Sequence, residues 1–322
     1  MTTALETRPA RTSDLGEIVD LLRLSMGRAA DERFEALFRW KHLENAFGPS
    51  PMWVATETER IVAFRTFMRW QFRRGDQVVC CVRAVDTATH PDYQGRGLFT
   101  LLTRAALPGL ASDGVQFVFN TPNAQSRPGY LKMGWQEVGR ARVCVRPLSP
   151  RGASLLVRNR VPASHWSEPA DFGCAAEDVL GEPYVDQLVV EERDGRLRTH
   201  LTPEFLRWRF ASPVVPYRAI VSPLGPASGV ALVRIRRRGR SREGVVGGLL
   251  LGRKDHRATR MLLREVLLAV RAHADYLVGV GALRGFVPIP RFGPIVTTRD
   301  VSAVAPVSLA SFGLTLSDIE LF

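Results

Sequence analysis

The segment Val85-Asp-Thr-Ala-Thr89-His-Pro-Asp-Tyr-Gln94-Gly-Arg-Gly97-Leu-Phe99 holds the residues best suited to chemistry. A strand-like run leads into a loop with two glycines, and helical spacing begins at once. Gly95 and Gly97 bring no side chains, so backbone N–H groups can close around an anion. A helix N-terminus behind them adds positive potential, about 0.3–1 kcal/mol at an exposed site and up to about 2 when partly buried. That geometry suits a pyrophosphate; a plain turn is the other reading of two glycines. Asp86 stands inside the strand-like run, where a carboxylate needs a partner or a task. Alternation sends its side chain opposite to that of Thr87. It is either a base or amine anchor, or a structural partner for an arginine such as Arg83. His90 and Asp92 read as turn residues. His42 and Glu44 lie on a helix that could border a substrate, with nothing further to select them.

The elements around this segment follow from periodicity. Asp14 and Glu17 stand three apart as in a capping box, and Leu15, Ile18, Val19 and Leu22 keep helical spacing. A second helix fits 31–45. Strands fit 52–55, 60–70 and 77–89, with turn residues between them. A helix fits 98–107, where Pro108-Gly109 should interrupt it. A short buried strand fits 115–120, a short helix ends at Met133 before Gly134, and 135–146 reads as a further strand pair. Helices, an antiparallel meander and then strand–helix–strand make a mixed α/β domain.

Two motifs in this half resemble the GNAT (N-acetyltransferase) superfamily. Gln94-Gly-Arg-Gly97-Leu-Phe99 is similar to its Gln/Arg-x-x-Gly-x-Gly/Ala motif, with a Thr-His-Pro-Asp-Tyr lead-in also typical of it. Downstream, Asn120-Thr-Pro-Asn123-Ala-Gln-Ser126-Arg-Pro-Gly-Tyr130-Leu-Lys-Met-Gly134-Trp135 resembles the segment that closes the superfamily's site. The likeness covers about residues 7–146 and departs at Phe99, where Gly or Ala is commoner. The resemblance implies acyl transfer from a CoA thioester, acetyl-CoA or another acyl-CoA, to an amine. It implies that Thr87, Ala88 and Thr89 hydrogen-bond the pantetheine through their backbone. Gln94, Gly95, Arg96, Gly97, Leu98 and Phe99 would wrap the pyrophosphate, and Asn123 and Ser126 would touch the coenzyme. Tyr130 matches the superfamily's general acid. An amine of pKa about 10.4 is mostly protonated at neutral pH, and deprotonating it costs about 4–5 kcal/mol. A base is therefore useful, and Asp86 is the candidate. A phenol of pKa about 10 can supply the proton for a departing thiolate.

The whole chain has 322 residues, which at about 150 per domain suggests two. A break falls in the proline-punctuated stretch 149–180, leaving 1–148 as the acyl-CoA-binding domain and 181–322 as a second domain. The second half echoes the first: Leu37-Phe38-Arg39-Trp40-Lys41 compares with Phe205-Leu206-Arg207-Trp208-Arg209. Strand-like runs at 217–220, 229–238 and 245–251 and a helix over 256–274 follow. The region from Gly248 to Arg257 lacks the two-glycine pattern, and 277–293 offers no equivalent of Asn123 or Tyr130. The expectation is a degenerate GNAT-like domain, in which each half is a mostly antiparallel mixed sheet flanked by helices. A helix near 153–160 should pack back on the first half.

Forty-four basic residues, 41 of them arginine, stand against 32 acidic, a net charge of +12. The excess is spread, +5 over 1–150 and +7 over the rest. It attracts anions in general or reflects an arginine-rich composition. The densest run, Arg234 to Arg242, reads as a solvated hairpin or as a patch for an anionic partner. Cys80, Cys81, Cys144 and Cys174 lack metal-site spacing and read as buried small hydrophobes, so no metal is expected. The N-terminus lacks a signal peptide's apolar core, and no run approaches the roughly 18–20 apolar residues of a membrane span. A cytoplasmic protein without a membrane or nucleic-acid partner is expected, as a monomer or homodimer. Its acceptor would be a small amine; an amino sugar is implied only by the resemblance to paired-domain relatives. Two other readings stay open: an aminoacyl transferase drawing on aminoacyl-tRNA, and a non-catalytic CoA-binding regulator. The chain ends Ser317-Asp-Ile-Glu-Leu-Phe322, expected to dock as an apolar tail.

Overall fold

The computed structural model describes residues 5–25, 31–159, 161–189, 194–252 and 256–320. The first half contains β1 (Glu6–Pro9), α1 (Leu15–Ser25), α2 (Phe34–His42), β2 (Met52–Glu57), β3 (Arg60–Arg74) and β4 (Gln77–Thr89). It continues with α3 (Leu98–Ser112), β5 (Phe117–Asn120), α4 (Arg127–Lys132) and β6 (Gln136–Arg140). The second half opens with β7 (Val143–Pro147), α5 (Pro150–Arg158), β8 (Ser167–Glu168), β9 (Cys174–Ala175), α6 (Ala176–Leu180) and α7 (Val185–Leu188). Then come β10 (Arg198–Thr199), α8 (Pro203–Phe210), β11 (Arg218–Val221), β12 (Val230–Arg238) and β13 (Ser241–Leu250). The last elements are α9 (His256–Val270), β14 (Tyr276–Val280), β15 (Val287–Pro288) and β16 (Ile295–Asp300).

These elements form two compact units. One is Met1–Gly139 with Pro294–Ser311; the other is Arg140–Gly293 with Phe312–Leu321. The first unit's strands run in the order β1-β2-β3-β4-β5-β16-β6, the second's in the order β15-β7-β14-β13-β12-β11-β9. In each sheet one adjacent pair is parallel, β4 with β5 and β13 with β14, and the meander before it is antiparallel. Each unit is thus a mixed, mostly antiparallel sheet flanked by helices.

The pair of strands expected over 135–146 does form, but its members separate. β6 stays in the first sheet, whereas β7 pairs with β14 in the second. Their places are filled from the other end of the chain: β16 lies against β5, with Thr297 opposite Asn120. Helix α5 also goes with the second unit, against β7, β13 and β14. Gly152 fits there because a side chain would collide with the Asp275 carbonyl.

The first core has two faces. Ile18, Val19, Leu22, Phe34 and Phe38 from α1 and α2 pack with Val54, Phe64 and Ala88. On the opposite face Leu98 and Leu102 of α3 cover Ala55, Val62 and Ala63. Further along α3, Ala106 and Leu110 meet Phe67, Val82 and Val118. That burial explains why α3 runs through Pro108 to Ser112 instead of stopping at Leu107. A mid-helix proline costs about 3 kcal/mol, and burying one leucine returns about 1.5–3. The C-terminal segment 317–320 is buried in the second unit, while Leu321 and Phe322 lie outside the described residues.

Candidate active site

Pairing of β4 with β5 ends at Arg83 opposite Phe119, yet pairing of β4 with β3 continues to Thr89 opposite Ala63. Over residues 84–89 β4 therefore has one edge bonded to β3 and another edge that β5 leaves unpaired. Thr87, Ala88 and Thr89 lie on this stretch, and the Thr87 hydroxyl donates to the Phe64 carbonyl at 3.0 Å. The register slips between Arg65 and Thr66: Arg65 faces Thr87 while Thr66 faces Val85. Asp86 is the extra residue of this bulge, with φ at +35°. Bulges of this kind turn a side chain out of strand alternation and end regular pairing.

The bulge aims Asp86 at α2. Its carboxylate forms an ion pair with buried Lys41 and accepts from His42 Nε2 at 2.8 Å. Arg83, the partner sequence reasoning offered, instead donates to Thr121 Oγ1 at 2.7 Å. Burial alone would raise the Asp86 carboxyl, but Lys41 and the His42 bond outweigh it and hold it well below the usual carboxylate range. Burial pushes the fully covered His42 imidazole below its ordinary value, against the pull of Asp86. His42 is accordingly neutral near pH 7. Because a carboxylate only accepts, Nε2 carries the proton; Nδ1 then accepts from Ser50 Oγ at 2.9 Å. Lys41 is the residue sequence reasoning missed, and His42 was placed on a bordering helix without a role. Only the adjacency of a lysine and a histidine on the last turn of a helix could have marked them.

Beyond β4 the chain turns through Pro91–Tyr93 into the glycine loop. Gly95 and Gly97 take φ of +77° and +76°, and Gly97 caps α3. A Cβ at either would meet nothing within 4 Å, so it is backbone conformation that requires glycine here. Gln94 and Arg96 are exposed, as are both glycines. Arg96 lies over the Tyr93 ring at 4.6 Å and donates to the Asp92 carbonyl at 3.2 Å. Leu98 is buried under α3 as an anchor. This loop, with the first N–H groups of a 15-residue helix, fits a pyrophosphate.

Phe99 turns inward. Its ring meets Tyr130 edge to face at 5.1 Å and presses on Gly129, where a Cβ would lie 3.1 Å from it. Tyr130, on α4, is 3% exposed, and its hydroxyl accepts from Arg65 Nη2 at 2.7 Å. Asn123 and Ser126 are joined: Asn123 Oδ1 accepts from the Ser126 N–H at 2.8 Å and from its hydroxyl at 3.0 Å, fixing the turn into α4.

The second unit repeats the bulge without these groups. There the register slips between Leu232 and Val233, and the extra residue is Gly247. A Cβ on Gly247 would fall 2.6 Å from Tyr217 and 3.0 Å from Phe210, whose rings pack edge to face. The run from Arg234 to Arg242 does form a hairpin, exposed at Arg237, Gly239 and Arg240, but most of its arginines are paired. Arg234 and Arg236 pair with Glu320, Arg238 with Glu243 and Arg237 with Glu168. The equivalent of the glycine loop includes residues 253–255, outside the described residues. Among the described residues no helix is long and apolar enough to cross a membrane, and no group of metal-binding side chains gathers.

Residues 6–138 match the family model of the acetyltransferase (GNAT) domain. The glycine loop, the bulged strand and Tyr130 all lie within the matched residues. No curated protein matches the chain. Solved structures share its fold. A probable N-acyltransferase of unknown function from Enterococcus faecalis has a TM-score of 0.69 at 13% identity, covering 93% of this chain and 73% of that one. A GCN5-related N-acetyltransferase from Anabaena variabilis gives 0.64 at 11%, covering 92% and 73%. Another, from Kribbella flavida, gives 0.60 at 14%, covering 97% and 74%.

Proposed function

We propose that the protein is an N-acyltransferase that moves an acetyl group from acetyl-CoA to the amine of a small acceptor, with the chemistry in the first unit. The observation that carries this reading is the unpaired edge of β4 at residues 84–89, which opens directly before the glycine loop. Pantetheine amides would complete that edge as a strand would, and the N–H groups at Gly95–Phe99 would meet the pyrophosphate. Tyr130 is read as the acid that protonates the departing sulfur. Asp86 suits a general base poorly, because a carboxylate held this far below its usual range binds a proton weakly. We read it as the charge that draws and orients the acceptor's ammonium group, with the proton leaving to water. The second unit, which has an aromatic pair where the first has Asp86 and His42, is read as non-catalytic.

Acetyl-CoA titrated against thermal unfolding tests the core of this. A rise in Tm that saturates is expected, together with thiol release when primary amines, amino sugars among them, are added. No stabilisation at millimolar acetyl-CoA would remove the proposal. Binding without thiol release across the amine panel would favour a coenzyme-binding regulator.

A further inference from the structure

Arg65 is a buried cation that the fold does not need. Its side chain is 0% exposed, on β3 directly opposite Thr87 and beside the bulge. Among the described residues no carboxylate pairs with it. Nε and Nη1 have no hydrogen-bond partner, and Nη2 donates only to the Tyr130 hydroxyl. Its guanidinium stands 4.6 Å from the Phe67 ring centroid and 5.3 Å from those of Phe99 and Tyr130. Ring faces compensate a cation only in part, and a charge removed from water without a counter-ion is costly. The second unit shows that the architecture can do without that cost. At the corresponding register position beside its bulge stands Leu232, which is also 0% exposed.

We propose that Arg65 is a positioning residue for Tyr130, held in a cage that Phe99 closes. This rests on the reading of Tyr130 as the proton donor. The phenol oxygen accepts from Arg65, and its own O–H finds no acceptor among the described residues. The hydrogen bond therefore fixes the ring oxygen and leaves its proton unspent. In the transfer step the amine nitrogen bonds to the acyl carbon and the C–S bond breaks. The sulfur keeps the electron pair and takes the Tyr130 proton, while the amine's extra proton goes to water. The negative charge left on the phenol oxygen lies against the guanidinium, where a charge-assisted bond is strongest. Tyr130 then recovers a proton from water. On this account Phe99, the departure from the family motif, is the wall that keeps Arg65 against the phenol.

The test uses the full chain, acetyl-CoA, and the primary amine from the panel that releases thiol fastest. Tyr130→Phe should lower kcat roughly 100-fold or more. Arg65→Met should lower it roughly 10- to 100-fold, with KM for acetyl-CoA and the acetyl-CoA-induced rise in Tm unchanged. The double variant should be no slower than Tyr130→Phe alone, since Arg65 acts only through that phenol. Arg65→Lys, which keeps the charge, should fall between wild type and Arg65→Met. If Arg65→Met does not fold, a lowered kcat with unchanged KM in Arg65→Lys carries the test. Wild-type kcat in Arg65→Met or Arg65→Lys, or multiplicative losses in the double variant, would overturn the proposal and leave Tyr130's role standing. Wild-type kcat in Tyr130→Phe would overturn both.

Discussion

Asp86 takes a φ of +35°, uncommon outside glycine and best tolerated by Asn, Asp and His, and the bulge delivers its carboxylate to Lys41 and His42. A strained backbone at a charged, half-covered residue marks a place where a side chain's direction matters more than local comfort. Asp86→Asn leaves the Lys41 ammonium buried without its carboxylate, and removing one partner of a buried pair typically costs about 3–5 kcal/mol. The sign of the pH dependence follows from the same pair. A carboxyl held below its unfolded value contributes stability that is complete above about pH 4 and lost as the pH falls below it. Urea unfolding should therefore show Asp86→Asn less stable than wild type at pH 7, with the gap narrowing in acid. A constant gap down to about pH 3 would mean that the ion pair is not the source.

At the scale of elements, the two helix–bulge pairs solve one packing problem in two ways. In the first unit the α2 terminus brings Lys41 and His42 to a carboxylate on the bulge. In the second, α8 brings Arg209 and Phe210 to a bulge that holds only Gly247, and the carboxylate comes from the C-terminal segment. Glu320 accepts from Tyr217 Oη at 2.7 Å, Arg236 Nη1 at 2.9 Å, Arg234 Nε at 3.0 Å and Arg209 Nη2 at 3.4 Å. Burial works to raise its pKa, but Arg234, Arg236 and Arg209 outweigh that and hold it at about 2. Glu320→Gln should cost about 3–5 kcal/mol at pH 7, read as a lower urea midpoint. That difference should shrink as the pH falls from about 4.5 towards 2, where Glu320 in wild type becomes neutral as well. Gly247→Ala drives a methyl into two buried rings and should cost about 1–3 kcal/mol, an increment that should be smaller when measured in a Tyr217→Ala background. Equal stability of Gly247→Ala and wild type would show that the rings can yield. The glycine loop could be read from sequence because everything it needs is local: two residues of positive φ and a helix behind them. The bulge could not, since it depends on which residue of β3 faces which of β4. Neither could Asp86's partners, 44 and 45 residues away, nor the carboxylate that Glu320 lends to β12.

Over the whole molecule, the surplus of arginine lost its simplest meaning when the densest run proved to be matched by Glu168, Glu243 and Glu320. What replaces it is a chain path in which β7, directly after β6, opens the second sheet and β16, near the end of the chain, completes the first. Sequence alone shows Val143–Pro147 and Ile295–Asp300 as apolar strands; nothing local says which sheet each will join. The consequence is that the motifs at 85–135 are not a self-sufficient domain. Val296, Thr297 and Thr298 of β16 are buried, Thr297 Oγ1 bonds Asn120 at 2.5 Å, and Arg299 reaches the Met133 carbonyl at the end of α4. A chain ending at Gly293 keeps the glycine loop, Asp86 and Tyr130 but leaves β5 with an open edge in the middle of its sheet. Such an edge exposes unpaired N–H and C=O groups and apolar side chains, which favours aggregation over folding. It should be poorly soluble and show no rise in Tm with acetyl-CoA. A chain ending at Ser311 restores β16 but lacks Glu320. It should recover the acetyl-CoA response of the first unit while its second unit unfolds at lower temperature than in the full chain. If the chain ending at Gly293 responded to acetyl-CoA as the full protein does, the exchanged strand would be dispensable, and residues 1–139 would have to complete their sheet by other means.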